Sequence, residues 1–259
     1  MRGRFTDDSD TWISAAITQV EIEQSRLSDE QTAFERFRAR IEEIAPDQAV
    51  PKERLIGYEQ QTSARTLATV REAYAETVMS VPHYDEDYDD TYEQSIHAEF
   101  GPEIAVLLTQ SNQFTPATKS TLLAGVDEAI DQRTEFKKVS QRELKSLRSA
   151  AAEVEPISNT LTSLSTTDFD SASFGALDAY LHQTDVLITD CDEIAKQRQQ
   201  ELAKIERSWQ SAASSLDLTA YFYQSLPVTH PVLARLGDIG GTIESLRQDI
   251  KQAIIYRAG

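Results

Sequence analysis

A single cysteine, Cys191, in a chain of 259 residues excludes an intramolecular disulfide and any zinc site built on cysteine pairs. Glycine and proline are also scarce, at nine and eight residues, which suits long uninterrupted helices better than many turns. No stretch approaches the roughly 20 consecutive apolar residues that a bilayer-spanning helix needs. The opening MRGRFTDDSD has no apolar run followed by a small-residue cleavage site, so no signal peptide and a cytoplasmic location are expected. Phosphate-cradling glycine loops, the G-x-S-x-G nucleophile turn and the H-E-x-x-H zinc helix are all missing. None of the four histidines has a glutamate three residues before it, which removes the di-iron bundle motif.

Positive charge is short as well. Twenty-five basic residues face 43 acidic ones, for a net charge of −18, and lysines are fewer than half as many as arginines. The acids are spread along most of the chain. This pattern favours adaptation to a salty cytoplasm, where a Debye length of about 3 Å at molar salt screens self-repulsion. An acidic surface that meets a basic partner is the alternative. With no clustered basic stripe, nucleic acid is not an expected partner.

What is present is helical periodicity. Leu27, Phe34, Phe37, Ile41 and Ile44 form an apolar stripe in a first long helix from about 10 to 44, ended by Pro46 and Pro51. Leu67, Val70, Tyr74 and Val78 mark a second helix from about 62 to 80, stopped by Pro82. A third is expected from the stripe Tyr84, Tyr88, Tyr92, Ile96 and Phe100, with Gly101 as its stop and Pro102 opening the next turn. Thr115 and Pro116 then start a helix reaching about 164, which Pro156 should kink or split. Its seam turns polar at Arg133, Lys137 and Ser140, then resumes at Leu144.

The most regular pattern lies between about 174 and 212, after a linker capped by Asp170 or Ser173. Its seam reads Leu177, Leu181, Thr184, Ile188, Cys191, Ala195, then Arg198, Leu202, Ile205 and Trp209, with Thr184 and Arg198 as mismatches. Cys191 on this seam reads as small core filler, not a nucleophile. After a short aromatic helix near 218–223, a last seam runs through Val232, Leu236, Ile239, Ile243, Leu246, Ile250 and Ala253. Gly240 and Gly241 within it suggest a tight crossing or a break. The expected fold is therefore all-α, an antiparallel bundle of long helices with coiled-coil-like heptad seams. It reads as a single helical domain over 1–259, with division into 1–112 and 115–259 as the alternative.

Four segments, AFERFRARI (33–41), REAYAETVMSVPHYDEDYDDTYEQSIHAEFGPEI (71–104), FTPATKSTLLAG (114–125) and THPVLARLGDI (229–239), resemble a family of uncharacterised helical proteins from halophilic archaea. The resemblance implies the salt reading of the charge. It carries no activity, cofactor or catalytic residue.

The richest chemistry sits in VPHYDEDYDDTYEQ, residues 81–94, with six carboxylates and three tyrosines between positions 84 and 93. His83 with Asp87, or Glu93 with His97, are the candidate metal pairs, since residues four apart share a helix face. One ion cannot use both pairs on a straight helix, where the two histidines stand about 21 Å apart. The simpler reading packs the tyrosines inside and solvates the carboxylates. His83 and His230, each beside a proline at a helix start, read as capping or packing residues, and His182 as a surface residue. No cofactor or catalytic residue is assigned. The favoured function is non-enzymatic interaction or scaffolding, with a protein partner or a second copy bound along helical seams. The alternative is a metal- or small-ligand-dependent enzyme built around residues 83–97.

Overall fold

A computed structural model describes residues 8–47, 59–111, 113–210 and 217–258, and these are helical almost throughout. The elements in order are α1 (Asp8–Glu43), α2 (Glu59–Thr77) with a 3-10 turn over Val78–Ser80, α3 (Tyr84–Asp87) and α4 (Tyr92–Thr109). They continue with α5 (Pro116–Ser165), α6 (Phe174–Gln210), α7 (Leu218–Tyr223) and α8 (Pro231–Ala258). There is no strand among the described residues, and the chain is an all-α helical bundle. It divides into two compact units, one of residues 24–138 and one of residues up to 23 together with 139 onward, so that α1 and α5 contribute to both.

In the unit of residues 24–138, the stripe of α1 is buried as expected. Phe34, Phe37 and Ile41 are fully buried and pack with Val70, Tyr74 and Ile96. Tyr74 is the hub: its ring meets Phe37 at 5.2 Å and Tyr92 at 5.7 Å edge-on, the favoured geometry for aromatic quadrupoles. Its hydroxyl is paired with Ser95 at 2.8 Å, so burying the ring strands no polar atom. The end of α1 is finished by Lys119, whose Nζ donates to the carbonyls of Glu42 and Ile44 at 2.7 and 2.8 Å, supplying positive charge where the helix leaves unpaired carbonyls. α1 ends at Glu43, three residues before Pro46, while Pro51 lies outside the described residues. Thr115 caps α5, accepting from the Thr118 N–H at 3.1 Å, with Pro116 at the first helical position.

The third helix is corrected by the structure. It is not continuous from 84 to 100: α3 is only four residues long, and Asp89 takes φ +47°, the left-handed region that aspartate tolerates better than most residues. Thr91 then opens α4 with a reciprocal capping box to Gln94. Tyr84, Tyr92 and Ile96 are buried, but Tyr88 is 43% exposed because the break rotates it off the stripe. Gly101 acts as expected, interrupting α4 at φ +77°, and Pro102 starts the following turns.

In the other unit, α6 and α8 run antiparallel. Leu177 packs with Ile250 and Ala253, Arg247 pairs with Asp185, and Arg257 donates to the Asp170 carbonyl at 2.7 Å. All seven apolar positions expected on the α8 seam are buried. On α6 the buried face is shifted from the expected seam: Leu187 and Ile194 are buried, whereas Leu181, Ile188, Ala195, Leu202 and Trp209 are only half-buried. Ser173, not Asp170, caps α6 through the Ala176 N–H at 3.3 Å. α5 continues through Pro156, so of the expected kink or split the split does not occur. α8 runs unbroken through Gly240 and Gly241, where an added Cβ would meet nothing within 4 Å, so neither the expected break nor a tight crossing falls there. The close approach falls instead at Gly125, whose Cβ position lies 2.8 Å from Ile104 Cδ1.

Candidate functional site

The break at Asp89 separates the two candidate metal pairs, and each of the four residues has a different environment. His83 is buried, and its Nε2 lies 3.2 Å from Glu30 Oε1 on α1. It makes no capping bond, so of the two expected roles, capping or packing, its buried position fits packing. Asp87 accepts from Arg26 at 2.6 Å. Glu93 lies 3.5 Å from Arg71 on the surface, and His97 is exposed. Among the described residues no group of three or more His, Cys, Asp or Glu side chains is placed to hold a metal ion. His182 and His230 are exposed, the former as expected.

Periodicity did not reveal what His83 joins. Glu30, 9% exposed, is the centre of a network drawn from α1, α4, α5 and the two residues flanking α3. Besides His83, its Oε1 accepts from the Tyr88 hydroxyl at 2.8 Å, and its Oε2 accepts from Arg133 Nε at 2.8 Å. Arg133 also reaches Glu99 at 2.8 Å and lies over the Phe34 ring at 4.3 Å. Burial, followed by the charge of Glu30, pushes the Tyr88 phenol well above its ordinary pKa. Burial alone would make Arg133 easier to deprotonate, but Glu99 and Glu30 outweigh it and hold the guanidinium charged. Both oxygens of Glu30 are therefore occupied by protein donors. The network fastens the short segment 83–88 onto α1. The polar interruption at Arg133 was its one trace in the sequence.

A second buried network lies in the other unit. The Arg198 guanidinium, 4% exposed, grips both oxygens of Glu143, which is 2% exposed. Arg198 Nη1 also donates to Ser146 Oγ at 2.7 Å, and the Tyr223 hydroxyl of α7 donates to Glu143 Oε1. Burial and the adjacent carboxylate raise the Tyr223 pKa, so its proton stays on the phenol. Both seam mismatches of α6 are thereby accounted for. Arg198 has its bidentate partner on α5, and the fully buried Thr184 turns its hydroxyl back to the Leu181 carbonyl at 2.7 Å. Cys191 is buried as expected, and its thiol is pushed up to about 11, first by burial and then by Asp190 and Asp192, so it is a poor nucleophile near neutrality.

Arg198 also lines an open groove of about 670 Å³ between α5 and α6. Its floor is apolar, from Ala150, Ile194 and Ile205, and Arg142, Lys145 and Lys204 stand along it. The sequence did not single out these cations, because they are dispersed over two helices more than fifty positions apart. A smaller cavity of about 310 Å³, which shares Ile205 with the groove, is lined by Glu143, Leu202, Phe222 and His230.

The described residues thus form an all-α protein with two buried polar networks and a groove between α5 and α6. The chain belongs to the family described as Domain of unknown function (DUF7260), whose model matches residues 11–247. No curated protein and no solved structure matches it. No helix among the described residues is long and apolar enough to cross a membrane.

Proposed function

We propose that this chain is a non-enzymatic interaction protein of a salt-rich cytoplasm, and that it binds another protein along the groove between α5 and α6. The groove is the observation that carries the reading: about 670 Å³ of space bordered by two long helices, with an apolar floor and charged edges. An interface of this kind needs an apolar centre and a polar rim. The enzyme alternative uses His83, Asp87, Glu93 and His97 together with groups from other helices. The ties of His83 to Glu30, Asp87 to Arg26 and Glu93 to Arg71 speak against it, since each uses a different partner.

The test is site-specific photocrosslinking in the native cell from Ser149 and Gln200, which line the groove, and from Glu155, an exposed residue of α5 outside it. The expected result is a discrete protein adduct from both groove positions and none from Glu155. No adduct from any position, or the same adducts from all three, would count against a protein-binding groove.

A further inference from the structure

Resting on the interaction reading, we infer that the α5–α6 groove takes an acidic amphipathic helix of about three turns. Its lining runs from Arg142 to Glu153 on α5 and from Ile194 to Ile205 on α6. Eleven steps at 1.5 Å give a trough about 16 Å long on each wall, which is three helical turns. A trough between two long helices accepts a third helix by laying its apolar face on the floor. Ala150, Ile194 and Ile205 supply that floor.

The charge of the occupant follows from which groups are already committed. Glu143 is held by Arg198 and Glu201 by Lys204 at 2.6 Å, while Glu153, bonded only to the neutral Ser149 hydroxyl at 3.0 Å, keeps its charge at the end of the α5 wall away from Arg142 and Lys145. Arg142 and Lys145, both exposed, have no carboxylate partner among the described residues. Several other arginines that reach between helices find carboxylates, as Arg38 does with Asp127, Arg40 with Glu76 and Arg148 with Glu21. In a chain of net charge −18, two uncommitted cations beside an apolar trough are complementary to carboxylates on the flank of an incoming helix. The long stems of Arg142 and Lys145 extend the apolar wall while their heads stay in water.

The probe is a fluorescein-labelled synthetic helical peptide of 15 residues, with leucines at i, i+3, i+4 and i+7 and glutamates on both flanks. A second peptide carries lysines in place of the glutamates. Anisotropy titrations use the full chain in about 1 M KCl, where screening leaves contact pairs and suppresses non-specific attraction of the basic peptide to the acidic surface. The glutamate peptide should bind saturably. The double variant Arg142→Glu/Lys145→Glu, checked for an unchanged circular dichroism spectrum, should weaken it about tenfold or more and strengthen the lysine peptide. Saturable binding that ignores the double variant, or no binding at all, overturns the acidic-helix proposal. If Ser149 and Gln200 still crosslink to protein in that event, the interaction reading stands and only the partner's chemistry falls. Sedimentation supplies the remaining outcome: a dimer that the double variant dissociates would make a second copy the occupant and overturn a foreign helix.

Discussion

Tyr88 and Tyr92 are one helical turn apart in sequence, yet Tyr92 is 7% exposed and Tyr88 43%. Tyr92 packs edge-on against Tyr74 in the core, whereas Tyr88 keeps its ring partly in water and holds Glu30 through its hydroxyl. Tyr92→Ala should therefore cost about 3 kcal/mol, as for an emptied aromatic core position. Tyr88→Ala should cost about 1 kcal/mol, mostly for the lost hydrogen bond. Urea unfolding of both variants at one fixed salt concentration measures the difference. Equal costs would mean that 84–100 is one straight helix after all. The tyrosine spacing was legible in the sequence because burial repeats with the helix. The left-handed turn at Asp89 was not, since aspartate is also common in ordinary helical and loop conformations. Nor could spacing show that Glu30 and Glu143 are buried, because their partners Arg133 and Arg198 lie 103 and 55 positions away.

At the scale of elements, local chemistry was more readable. The Thr115–Pro116 start, the cap at Ser173 and the stop at Gly101 each follow from a single residue's preference, and the apolar stripe of α8 is buried at every expected position. The glycines of α8 were misread because a glycine inside a helix signals close approach or a break only when something approaches. At Gly237, Gly240 and Gly241 an added Cβ meets nothing within 4 Å. Replacing Gly237 or Gly240 by Ala should therefore stabilise the protein by about 0.5–1 kcal/mol each, the intrinsic helix preference of alanine. Gly101→Ala has equal room, but its φ of +77° strains any residue with a Cβ, so a loss of about 1 kcal/mol is expected. Chemical denaturation of the three single variants gives the signs. A destabilising Gly240→Ala would place another molecule against that face of α8 in solution.

For the whole molecule, the excess of 43 acidic over 25 basic residues sets the response to salt. Exposed pairs such as Arg38–Asp127 and Lys138–Glu135 contribute little individually, and salt weakens them. The pair Glu143–Arg198 is shielded from ions by burial and should be nearly indifferent. Opposing the loss of surface pairs is the relief of repulsion among many unpaired carboxylates, and with a net charge of −18 that relief should dominate. Between about 0.1 and 2 M KCl the thermal midpoint should rise by several degrees, since about 1 kcal/mol corresponds to some 2–4 °C in a chain of this size. Arg142→Glu/Lys145→Glu makes the charge more negative by four, so it should melt below the parent at 0.1 M KCl and approach it at 2 M, where screening removes the added repulsion. Differential scanning calorimetry on both proteins across the series tests the argument. A parent midpoint that stays flat or falls would mean that the carboxylates are locally compensated and that the salt-rich setting has no support from stability. A deficit in the double variant that persists undiminished at 2 M would locate the loss in the groove's packing instead of in charge.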